Sequence, residues 1–146
     1  MHIALGCDHR GLALKQAITD LFAEMGHESQ DFGCYNDNSV DYPDIARDVA
    51  KAVMSGQFAQ GILICGTGIG MSMTANKVKG IRAALCGDAI SGSKARQHND
   101  ANILCLGADI VGEELALDIV RAYLATDFES GRHSRRLEKM HALETN

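Results

Sequence analysis

GILICGTGIG, residues 61–70, passes from an unbroken apolar run straight into alternating glycines. An apolar run of that length suits a strand buried on both faces, as in a parallel sheet covered by helices. The glycines then form a loop that opens a helix. The same succession recurs along the chain. Strands are expected at HIALG (2–6), ESQDFG (28–33), GILIC (61–65), IRAALC (81–86) and NILCLG (102–107). Between them, Leu14, Ile18, Leu21, Phe22 and Met25 recur at helical spacing, and so do Ile45, Val49, Ala52 and Val53. Ala116, Ile119, Val120 and Tyr123 repeat the stripe in a helix opened by Glu113 and Glu114, whose charges suit its N-terminal dipole. The single proline, Pro43, fits the first turn of the second helix. A final helix is expected from about Ser134. The pattern predicts an α/β fold, a three-layer αβα Rossmann-like sandwich with five parallel strands in the order 2-1-3-4-5 and a C-terminal helix.

Composition narrows the function classes. The chain has 146 residues, 46% of them hydrophobic, which suits one domain with a sizeable core. Its formal net charge of −5, with basic residues clustered only at 132–139, argues against a nucleic-acid partner. No apolar run approaches a membrane span, and charge arrives too early at the N-terminus for a signal peptide. A cytoplasmic protein is expected. The five cysteines are odd in number and form no CxxC pair, so they read as reduced thiols rather than a disulfide framework or a zinc site.

In open α/β sheets, ligands bind beyond the carboxyl ends of the strands where strand order reverses. With the first and third strands adjacent, that crevice lies between CDHRG (7–11) and CGTGIG (65–70). The glycine loop fails both common nucleotide patterns: G-x-G-x-x-G would need glycine at Met71, and the Gly-Lys-Ser/Thr ending of a P-loop is missing. What remains is a nest of backbone N–H groups suited to a developing oxyanion. A thiol beside it, Cys65, feels a positive partial charge that favours its thiolate. It reads either as a base or nucleophile or as a small apolar filler, the reading given to Cys34, Cys86 and Cys105. Cys7 poses the same question. Asp8, following a strand, could simply cap the first helix.

Taken in order, GCDHRG (6–11), SVDYPD (39–44), GILICGTGIGMSMTANKVKGIRAALC (61–86), RQHNDANILCLG (96–107) and GRHSRR (131–136) resemble the ribose-5-phosphate isomerases of the B type, grouped with the galactose-6-phosphate isomerase subunits. The resemblance implies a single sugar-phosphate isomerase domain over residues 1–146. It also implies an aldose–ketose isomerase that moves a proton between C1 and C2 through a cis-enediolate, with no metal and no cofactor. Carried over residue by residue, Cys65 is the base, while Thr67 and the backbone of Gly66, Gly68, Ile69 and Gly70 bind and stabilise the enediolate. His98 opens the sugar ring with Asp8 and Asn99, and Tyr42 lies near the ring oxygen. His9, Arg132 and Arg136 hold the phosphate.

These roles agree with the chemistry. Histidine both gives and takes a proton near neutrality. Arginines four apart share a helix face and can grip one dianion. Since the fourth helix runs back from the carboxyl end of the sheet, His98 and Asn99 are expected far from their own Cys65 and to complete the site of a second copy. A homodimer with shared sites, or a tetramer, follows. Ribose 5-phosphate and ribulose 5-phosphate are the expected pair. One departure matters: Asp109 stands where the family commonly carries an arginine that reaches the phosphate. It keeps galactose 6-phosphate, allose 6-phosphate and tetrulose 4-phosphate open as alternatives, beside a non-catalytic phosphosugar-binding module.

Overall fold

The computed structural model describes residues 1–144. Along them run β1 (His2–Cys7), α1 (Leu12–Met25), β2 (Glu28–Asp31), α2 (Tyr42–Met54), β3 (Gln60–Cys65) and α3 (Ile69–Ala75). β4 (Ala83–Leu85), α4 (Ala89–Asn99), β5 (Ile103–Gly107), α5 (Glu113–Leu124) and α6 (Arg132–His141) follow. The strands form one sheet in the order β2-β1-β3-β5-β4, and every neighbouring pair is parallel.

The α/β class and the parallel sheet are as expected, but the last two strands are exchanged relative to 2-1-3-4-5. Burial explains the exchange. β5 is buried at every residue, which suits a strand with a neighbour on each side, whereas Ala83 and Ala84 of β4 are only half covered and Leu85 is exposed. IRAALC reads as an apolar run, yet only its middle pairs, and it pairs as an edge. On that outer edge the Asn76 side chain takes the place of a strand: its Nδ2 donates to Ala83 O at 2.9 Å, and Ala83 N donates back to Oδ1 at 2.8 Å.

The exchange redistributes the helices. A right-handed crossover from β4 back to β5 lays its helix on the opposite face from one that steps outward. One face carries α1, α4 and α5. There Ile3, Leu5, Ile62, Ile64, Leu104 and Leu106 meet Ile18, Phe22, Ile119 and Tyr123. On the other face, Ala4, Leu63, Cys65 and Cys105 meet Val49, Val53 and Met71 of α2 and α3. Alternate residues of each strand go to opposite clusters, as the pleat demands. Pro43 lies in the first turn of α2, and the Asp88 carboxylate caps α4 by accepting from Ser91 N at 2.7 Å. Among the described residues no helix is long and apolar enough to cross a membrane.

Candidate active site

Three loops meet at the carboxyl ends of β1, β3 and β5, laced by backbone hydrogen bonds. Asp8 N donates to Ile64 O at 3.0 Å, while Ala108 N and Asp109 N donate to Cys65 O and Gly66 O, both at 2.8 Å. They surround a cavity of about 470 Å³. Its wall takes Asp8, His9 and Arg10 from the first loop, Cys65, Gly66, Thr67, Ile69 and Gly70 from the second, and Asp109 from the third. Tyr42, at the start of α2, and Met73 of α3 complete it.

Cys65 is 5% exposed and meets this cavity at the last residue of β3. The amide of Gly68, the N-cap of α3, donates to its Sγ at 3.1 Å, a contact that strengthens when the sulfur carries charge. Burial acts on three further thiols. Burial pushes Cys7 up to about 12, despite the Lys15 ammonium nearby, and raises Cys86 and, most strongly, Cys105. Cys7 packs on the α1 face and Cys65 on the α2–α3 face, so the sheet separates the two sulfurs. That removes Cys7 both as a second reactive thiol and as a redox partner for Cys65.

The loop's geometry requires glycine at position 68 and favours it at 70. Gly68 has φ +76°, and a Cβ there would meet the Leu106 backbone at 2.8 Å. A Cβ on Gly70 would stand 2.5 Å from the Tyr42 ring, so the missing side chain makes room for that ring. The expected row of free amides is partly spent within the loop: Gly68 N is turned to Sγ, and Ile69 N donates to Thr67 Oγ1 at 3.3 Å. Among the described residues, the amides of Gly66, Thr67 and Gly70 have no hydrogen-bond partner.

Asp8 is buried but does not cap α1, whose N-cap is Gly11; its Oδ1 accepts from Arg10 N at 2.9 Å and fixes the loop. His9 Nδ1 accepts from Val40 N at 3.3 Å. A backbone amide can only donate, so the neutral ring carries its proton on Nε2. The segment that supplies Val40 is tied down by Lys15. This buried ammonium donates to both carboxylate oxygens of Asp31, at 2.9 and 2.8 Å, and to Cys34 O.

His98, Asn99, Arg132 and Arg136 lie outside the cavity wall. Asn99 ends α4 and lines a separate cavity with Arg82, Ala83 and Ala84, at the amino end of β4. Ala83 pairs with Ile103 and Cys65 with Gly107, four residues further along β5. That offset is ~13 Å along the sheet. The His98 ring stacks on His133 with centroids 4.3 Å apart and planes 15° from parallel. His133, Arg132 and Arg136 belong to α6, which starts two residues earlier than the sequence suggests.

His133 is 4% exposed, and among the described residues its Nε2 has no hydrogen-bond partner. Burial, then the neighbouring His98 and Arg132, pushes its imidazole below the ordinary range. Glu129 brings a carboxylate oxygen within 4.8 Å of donor atoms of both histidines. An imidazole binds metal in its ring plane, however, and two stacked planes do not converge on one point.

Sequence reasoning missed Arg10 and Met73 as wall residues. Arg10 Nη1 lies 3.6 Å from Asp109 Oδ2 across the cavity rim. A charge in the loop behind a strand, in line with Asp8 and His9, was the available signal.

The family model described as Ribose/Galactose Isomerase matches residues 3–140. The chain is 48% identical to ribose-5-phosphate isomerase B of Escherichia coli strain K12 over 142 residues, covering 97% of this chain and 95% of the relative. It is 42% identical over 142 residues to D-erythrulose-4-phosphate isomerase of Pectobacterium atrosepticum, covering 96% and 93%. The solved structure of Clostridium thermocellum ribose-5-phosphate isomerase B superposes with a TM-score of 0.97 at 50% identity, over 99% and 97% of the two chains.

Proposed function

The chain belongs to the ribose/galactose isomerase family and is an aldose–ketose isomerase, and from that premise we propose that it interconverts D-ribose 5-phosphate and D-ribulose 5-phosphate with Cys65 as the base. The observation that carries this reading is Cys65 itself, an almost enclosed sulfur that accepts a backbone N–H and meets a cavity also lined by Asp8, His9 and Thr67. A proton on carbon next to a carbonyl is weakly acidic. The base must therefore be close, and the oxyanion must be met as it forms.

In the proposed reaction the Cys65 thiolate takes the C2 proton of the open-chain aldose. The electron pair moves to the carbonyl oxygen O1 to give the cis-enediolate, the hydroxyl proton of O2 passes to O1, and the proton held by Cys65 returns at C1. Thr67 Oγ1 and the amides of Gly66 and Gly70 face the enediolate oxygens, and Asp8 and Tyr42 orient the ring form. His98, Asn99, Arg132 and Arg136 come from a second copy of the chain, so the working unit is a homodimer. Exposed apolar side chains beside the cavity, Ile69, Leu85 and Ile110, and Ile90 at the start of α4 support such a covering. The chemistry asks for no metal or cofactor, and a cytoplasmic setting fits a thiol base.

A four-carbon phosphosugar is the second reading. It is favoured by the carboxylate of Asp109 in the wall and by the substrate named for the Pectobacterium relative. Steady-state rates with four-, five- and six-carbon aldose phosphates test both. The leading reading expects the highest kcat/KM with ribose 5-phosphate, and no turnover of five-carbon substrates would reject it.

A further inference from the structure

We propose that Arg10, steadied by Asp109, is the cation with which each chain grips the phosphate in its own cavity; this rests on the phosphosugar reading above. Among the residues of the cavity wall Arg10 is the single arginine or lysine, set against the carboxylates of Asp8 and Asp109. With those acids alone, the wall would repel a dianionic phosphate.

Arg10 is also placed for the task. Its backbone is pinned by Asp8 Oδ1 at 2.9 Å, and Asp109 is pinned by the bond from its N–H to Gly66 O at 2.8 Å. The facing side chains are 61% and 50% exposed and touch through one nitrogen at 3.6 Å. An exposed one-point pair adds little to stability. It leaves the other N–H donors of the guanidinium free for a planar grip on phosphate oxygens. Gly66 lets the pair close over the loop: a Cβ there would stand 2.9 Å from Asp109 Oδ2 and 3.7 Å from Arg10 Cγ. Asp109 is a positioning residue, and its own charge is tolerated because Arg10 covers it.

The test uses the full-length protein with inorganic phosphate as the probe in titration calorimetry, beside steady-state kinetics on the best phosphosugar. Arg10→Gln is expected to weaken phosphate binding and raise KM by fivefold or more, with kcat within threefold. In the Arg10→Gln background, adding Asp109→Asn is expected to tighten phosphate binding again by removing an uncompensated charge. A change below fivefold on Arg10→Gln, no recovery in the double variant, or no phosphate binding by the unsubstituted protein overturns the proposal. Both positions are exposed, so thermal melts are expected to be unchanged. If no phosphosugar is turned over, the isomerase reading fails, while the phosphate titration still decides the role of Arg10.

Discussion

The crevice at the carboxyl ends of β1, β3 and β5 and the histidine–arginine cluster between α4 and α6 are built in different ways. In the crevice, backbone bonds join the three loops, an amide meets the Cys65 sulfur, and Val40 sets the His9 tautomer. In the cluster, a stacked pair of imidazoles stands beside exposed arginines, and a bond from Glu129 N to Gln97 O at 3.0 Å ties its connecting segment to α4. The crevice therefore holds its shape from within one chain. The cluster presents donors outward, as one half of a shared site would.

The strongest way to break this comparison is to disable each half separately. Cys65→Ser is expected to lower kcat by about 10³-fold with the fold intact, since a positioned base contributes on the order of 10² to 10⁴. His98→Asn should also be nearly inactive. If the halves come from different copies, refolding the two variants together restores roughly a quarter of wild-type activity. Half of the randomly formed dimers are mixed, and each mixed dimer has one of its two sites intact. Two well-folded variants that recover nothing on mixing would place both halves on one chain.

A smaller effect probes what stiffens the crevice. Lys15→Met strips a buried ammonium from Asp31 and from Cys34 O, loosening the segment that reaches His9. The expected loss is about 2 kcal/mol in urea unfolding, below the cost of breaking a fully buried pair because the Asp31 side chain is 42% exposed. A midpoint equal to wild type would show that the loop bonds alone suffice.

The subtlest test concerns the cluster. The folded state holds His133 below its ordinary value, near 6.5 in an unfolded chain. On acidification the unfolded chain therefore binds this proton first. The stability that His133 contributes is present above pH about 6.5 and is lost as the pH falls. Wild-type melting temperature should drop more steeply between pH 7.5 and 5.5 than that of His133→Gln. Parallel pH profiles would show that His133 is not held neutral.

Much of this was legible from residues alone. Continuous apolar runs marked the buried strands, helical stripes marked the covering helices, and the glycines behind Cys65 marked the loop. The exchange of β4 and β5 was hidden because IRAALC and NILCLG look alike as apolar runs, and pairing order is a property of the whole sheet rather than of either segment. Asp8 looked like a helix cap because capping and turn-fixing draw on the same side chain, and only the position of Gly11 decides between them. The meeting of Arg10 and Asp109 joins residues far apart in the chain. No local pattern records it. Lys15 sits beside the apolar stripe of α1, where a charged residue ordinarily reads as solvated.

The edge of β4 carries one more consequence. An open strand edge offers unpaired N–H and C=O groups on which another chain's strand can grow, and such growth leads to aggregates. By answering both groups of Ala83 with a side-chain amide, Asn76 stops the sheet at its fifth strand, so that at Ala83 the molecule resists fibre-like stacking with a single residue rather than an extra segment of chain.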